Sequence, residues 1–129
     1  MDPNVLVIHG PRPPEAPAFP IVLDSPHSGF RMPADFGAVA SVQELRDGED
    51  AFVDELYLPA AKMGIPLLTA QFPRTYLDAN RHAADIDPDL LAEPWPGPRH
   101  DSGKAGIGKA LVWRTLDRQR PIYDRRLTV

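Results

Sequence analysis

Proline occupies 16 of the 129 positions, about one residue in eight against an average usage of roughly 5%. Each proline fixes φ and removes a backbone donor, so regular elements are confined to the stretches between them. Most of the prolines separate apolar segments: Pro11 to Pro20 lie between Val5-Leu6-Val7-Ile8 and Ile21-Val22-Leu23-Asp24. This predicts short elements and ordered loops around an α/β core, in place of a disordered chain.

Read in order, Val5 to Ile8 is a short strand, placed at a sheet edge because the Pro-rich connector after it cannot support a ladder. Ile21 to Asp24, an unbroken apolar run bounded by Pro20 and Pro26, reads as a central strand buried on both faces. Ser25-Pro26-His27-Ser28-Gly29 then sets a histidine at the carboxyl end of a strand, where open α/β sheets build their sites. A helical pattern follows Ser41 in Val42-Gln43-Glu44-Leu45. It restarts at Asp47, read as the N-cap of a helix from Gly48 to Met63. Phe52, Val53, Leu56, Ala60 and Met63 form its apolar face toward the sheet. Pro59 predicts a kink or restart near Leu58, and Gly64 closes the helix. Ile65 to Gln71 is the next strand, and the strand–helix–strand order predicts a parallel pair with a right-handed crossover. The His27 turn and the segment after Gln71 therefore open on one edge of the sheet.

Further on, Asp87 and Pro88 begin a helical turn, Glu93 to Gly108 form a long Pro/Gly loop, Lys109 to Arg114 read as a strand, and Pro121 to Asp124 are extended. Thr128 has the character of an N-cap for a helix whose body is absent. Gly103 to Ala110 nearly spell a phosphate-binding loop. Position 110 is Ala where that motif needs Ser or Thr, and no strand precedes it, so a nucleotide site is set aside.

The net charge is −4, which provides no general basic field for nucleic acid or an anionic membrane. Cysteine is absent, excluding disulfides and thiolate metal ligands and leaving His and carboxylates. No apolar stretch approaches the ~20 residues that span a bilayer, and Met1-Asp2-Pro3 does not begin a signal peptide, so a cytoplasmic location is expected.

The chemistry concentrates in Arg74-Thr75-Tyr76-Leu77-Asp78-Ala79-Asn80-Arg81. Arginine presents a planar fork matched to a carboxylate, and Asn80 adds a donor, so Arg74, Asn80 and Arg81 suit an acidic ligand, with Asp78 holding one arginine in place. A solvated turn with surface ion pairs is the plainer reading of such a cluster. His27 reads equally as a loop-bonded histidine or a metal ligand. Asp47, Asp50 and Asp54, at spacings of three and four, would share a helix face; one could complete a His/carboxylate pair for zinc, or they could simply complement the helix dipole.

Taken together and in order, Leu23 to Gly29, Glu49 to Tyr57, Arg74 to Arg81, Ala105 to Gly108 and Pro121 to Asp124 resemble the N-formylglutamate amidohydrolases. The resemblance implies zinc-dependent hydrolysis of N-formyl-L-glutamate to glutamate and formate, in histidine degradation. It also implies a three-layer αβα fold, with a mostly parallel or mixed sheet, like that of zinc exopeptidases and aspartoacylases. By the same resemblance His27 ligates zinc, Asp50 is the preferred second ligand over Asp47 or Asp54, and Arg74, Asn80 and Arg81 grip the carboxylates of a small acidic N-acyl amino acid. The remaining zinc ligand and the general base have no match in 1–129 and are expected beyond Val129. The chain is therefore expected to be the N-terminal half of a larger catalytic domain and, by itself, nearly inactive. The competing expectations are a non-catalytic module for acidic metabolites and an amidohydrolase for another N-acyl amino acid. Oligomeric state is not legible.

Overall fold

The computed structural model describes residues 5–12 and 14–129. Three short strands, β1 (Leu6–His9), β2 (Leu23–Ser25) and β3 (Leu67–Ala70), and two helices, α1 (Val42–Arg46) and α2 (Val53–Lys62), carry the regular structure, with 3-10 turns at Pro88–Leu90, Ala105–Ile107 and Asp117–Gln119. The sheet order is β1-β3-β2. β1 runs antiparallel to β3, with Leu6 opposite Ala70, and β2 runs parallel to β3, with Leu23 opposite Leu67. The sheet is thus mixed, and the parallel pair and the edge position of β1 are as the sequence predicts.

The central strand is β3, not the Ile21–Asp24 run. β2 starts only at Leu23, and Ile21 and Val22 are exposed. The reason lies in the partner. Leu23 N–H donates to the Pro66 carbonyl, and the residues before Pro66 are committed to the end of α2, where Gly64 takes a φ of +82° and Ile65 N–H donates to Ala60. No ladder remains for Ile21 or Val22.

α1 begins with a capping box: Ser41 Oγ accepts from Glu44 N–H at 3.3 Å, and the Glu44 carboxylate accepts from Ser41 N–H at 2.7 Å. Asp47 ends this helix as its C-cap instead of starting the next. α2 starts at Val53, after Phe52 in a left-handed conformation with φ of 66°. It runs through Pro59 as one helix. It lies against β2 and β3, and its partly buried residues are Val53, Asp54, Ala60 and Ala61. Phe52, Leu56 and Met63, expected toward the sheet, are exposed; the late start and the small alanines decide which face docks.

The main apolar cluster lies outside the sheet, where Leu45 of α1 packs with Phe36, Ala40, Leu90, Trp113, Leu116, Ile122 and Tyr123. Lys109 to Arg114, expected as a strand, instead bends back on itself through a single Lys109–Trp113 bridge, which drives Ala110 and Trp113 into the interior. At the other end of the described chain, Thr128 and Val129 are exposed and belong to no helix. No helix among the described residues is long and apolar enough to cross a membrane.

Candidate active site

Two loops leaving the carboxyl ends of β2 and β3 build the site. The first is pinned by its own hydroxyls. Ser25 Oγ and Ser28 Oγ are 2.7 Å apart, Ser28 Oγ donates to the Asp50 carbonyl at 2.7 Å, and Asp50 N–H donates to the His27 carbonyl at 3.1 Å. Asp54 N–H, in the first turn of α2, reaches Ser28 Oγ at 3.3 Å. Gly29 presses on β3 so closely that a Cβ there would stand 2.4 Å from the Gln71 backbone. These contacts fix His27 between the two loops, 5% exposed.

Asp78 is the hub of the second loop and is fully buried. Its carboxylate accepts from His27 Nε2 at 2.7 Å, Arg74 Nη2 at 2.9 Å, Asn80 N–H at 3.1 Å and Trp113 Nε1 at 3.2 Å, while Arg81 Nη2 stands 3.7 Å away. Burial is the largest single influence and opposes its ionisation, but the hydrogen bonds from His27 and Arg74, the Arg74 charge and the Asn80 amide outweigh it. The Asp78 pKa is held well below the usual carboxylate range.

On the other edge of the imidazole, Nδ1 lies 3.0 Å from Asp50 Oδ2. Asp50 is about half exposed, and its second oxygen is 3.4 Å from Arg74 Nη1. The guanidinium of Arg74 thus spans both carboxylates and rests over the Trp113 ring at 5.0 Å, its buried Nε having no partner among the described residues. An ionised Asp78 accepts only, so a neutral His27 carries its proton on Nε2 and turns a lone pair toward Asp50. Two acceptors 3.0 Å apart require a proton or a cation between them. That donor pair fits part of a zinc site whose histidine is oriented by a buried carboxylate. Among the described residues no cluster of three or more potential ligands occurs.

Of the residues singled out in the sequence, the structure brings together His27, Asp50, Arg74 and Asp78. Arg81 is turned onto the Lys109 carbonyl, its Nε 3.2 Å away, and the exposed Asn80 side chain makes no hydrogen bond among the described residues. Asp54 touches the site through its backbone, and Asp47 lines a 220 Å³ cavity with Asp50, Arg74, Lys109, Trp113 and Asp117. Val129, past which the sequence places the general base, is not among the residues lining that cavity. A larger cavity, 520 Å³ between Leu90, Arg114 and Tyr123, contains none of the site residues. Sequence reasoning missed Trp113 as the donor that completes Asp78. Its only signal is a tryptophan whose N–H must find an acceptor once buried.

The chain thus sets a buried carboxylate–histidine pair at the carboxyl ends of two parallel strands of a mixed α/β sheet, faced by an exposed carboxylate and a crosslinking arginine. The comparisons are specific. The sequence model of N-formylglutamate amidohydrolase matches residues 19–129, and the chain belongs to that family. It is also similar to the crystal structure of N-formylglutamate amidohydrolase from Ralstonia eutropha JMP134, with 47% identity and a TM-score of 0.88. The similarity covers 98% of this chain and 44% of that one, so this chain spans less than half the length of its solved relative. No curated protein matches the chain.

Proposed function

We propose that the protein hydrolyses the formyl amide of N-formyl-L-glutamate, releasing formate and glutamate, with zinc as cofactor and within histidine degradation. The observation that carries this reading is the His27 imidazole held between buried Asp78 and exposed Asp50 in a chain of this family. A zinc-exopeptidase-like fold for the whole enzyme belongs to the same proposal, as do a third metal ligand and a general base supplied from beyond Val129.

His27 Nδ1 and Asp50 would hold the metal. When bound, zinc polarises a carbonyl and acidifies water from ~15.7 toward ~7 in favourable sites. The chain's own groups do the positioning. Asp78 keeps the His27 proton on Nε2 and fixes the ring plane. Arg74 neutralises the two carboxylates flanking the ring and ties them to Trp113. Asn80 and Arg81 offer donors for a substrate carboxylate, so binding energy remote from the amide orients it.

The test is formate release from N-formyl-L-glutamate by the protein as its source cell makes it, before and after chelation and zinc readdition. Zinc-restored formate release is expected. A zinc-loaded protein that releases none overturns the reading.

A further inference from the structure

Lys109 has no part in the reading above, yet it lines the same cavity as Asp50 and Arg74. Its Nζ sits 4.8 Å over the Trp113 ring, the ring that also carries Arg74 at 5.0 Å. One indole, itself 5% exposed, therefore supports two cations, which lie within about 10 Å of each other. Like charges this close need anions. Arg74 has Asp50 and Asp78, whereas Lys109 has Asp117.

Asp117 differs from the other two carboxylates. Its side chain is 84% exposed and opens a tight turn whose next two residues, Arg118 and Gln119, take φ of 55° and 59° without being glycine. Left-handed backbone at non-glycine residues persists only where the surroundings impose it, and it gathers at functional sites. With Lys109 largely covered and Asp117 in water, the aspartate is the partner that can be exchanged for another carboxylate.

We propose that Lys109 is the specificity-determining cation for the side-chain carboxylate of an acidic N-acyl amino acid, and that Asp117 occupies that position until substrate displaces it. This rests on the amidohydrolase reading for its substrate class. The Arg81 side chain braces the Lys109 carbonyl, so the α-carboxylate clamp and the side-chain clamp share a backbone segment. No bond is made or broken at Lys109; it selects.

The experiment compares kcat/KM for N-formyl-L-glutamate and N-formyl-L-glutamine in the full-length zinc protein and in K109M, K109R and D117N. Loss of a charge-assisted contact in K109M is expected to lower kcat/KM for N-formyl-L-glutamate by about 100-fold, the penalty on the uncharged analogue being smaller by at least about tenfold. K109R should recover part of the loss. D117N, a surface change, should lower KM for the acidic substrate by about threefold, because its competitor is gone. An equal loss on both substrates in K109M, or a raised KM in D117N, overturns the assignment while leaving the amidohydrolase reading intact. If the wild-type protein cleaves neither substrate, that reading falls and calorimetric binding of glutarate against its monoamide decides. Preference for glutarate that vanishes in K109M sustains the carboxylate site, and absence of any preference in the wild type overturns it.

Discussion

His27 Nε2 lies 2.7 Å from Asp78 Oδ1, and both residues are buried, the aspartate completely. A buried carboxylate bonded to one ring nitrogen settles which nitrogen faces outward, and so which atom is offered to a metal. On the proposed zinc reading, Asp78→Asn is expected to lower zinc affinity by about 10- to 100-fold, and His27→Ala to leave no zinc after dialysis, both read by elemental analysis. Zinc retention at wild-type strength in His27→Ala would displace the histidine from the ligand set.

The same burial has a stability consequence. Asp78→Ala leaves His27, Arg74 and the Trp113 N–H without their shared acceptor. We expect a loss of about 3–5 kcal/mol in urea unfolding, and a loss under 1 kcal/mol would show that the cluster relaxes onto other partners.

On the proposed function, Arg81→Ala should raise KM for N-formyl-L-glutamate with zinc content unchanged, since its guanidinium stands 3.7 Å from Asp78 and its Nε donates to the Lys109 carbonyl. Metal loss in this variant would move Arg81 from substrate clamp to metal support.

Acid stability should depend on Glu44. Hydrogen bonding from Arg120 and from the Ser41 backbone and hydroxyl lowers its pKa to about 2. A depressed folded-state pKa means that the unfolded chain binds more protons between about 2 and the ordinary ~4.3. Glu44 thus stabilises the fold fully above that window and progressively less as pH falls through it. In Glu44→Gln, the slope of stability against pH from about 4.5 to 2 should be shallower; an unchanged slope in pH-dependent denaturation would contradict the capping geometry.

Gly29→Ala tests the closeness of the His27 loop to β3. Its Cβ would stand 2.4 to 2.6 Å from backbone atoms of Ala70 and Gln71, which cannot swing aside as a side chain can. Destabilisation of about 3 kcal/mol is expected, with zinc affinity falling in parallel as His27 shifts; a variant as stable as wild type would mean that the loop can retreat.

The residues that could be read from sequence share a feature: their placement follows from neighbours a few positions away. Ser41 and Glu44 announce α1, Gly64 ends α2, Asp87 and Pro88 begin their turn, and His27 follows a strand. Asp47 shows the limit. By local chemistry it serves as well for an N-cap as for the end of α1; in the fold its N–H turns back to the Glu44 and Leu45 carbonyls, and Gly48 after it lies where a Cβ would meet Thr75 at 2.8 Å and Trp113 at 3.4 Å. Asp78 illustrates it again. An aspartate among arginines resembles wet surface, and only Trp113 and His27, brought in from distant segments, turn it into a buried hub. The run from Lys109 to Arg114 has strand-like composition, but its bridge of Lys109 to Trp113 is set by what Trp113 must reach.

The parallel pairing of β2 with β3 carries a kinetic consequence. These strands cannot meet until the long connection between them has closed its loop, and the entropy of that closure must be met before any strand contact repays it. The His27–Asp78 contact, which joins the loops beyond those strands, is expected to form only once that closure is made. The candidate site is therefore expected to assemble together with the parallel pair and not ahead of it, because the short α1 and α2 gain their stability from packing.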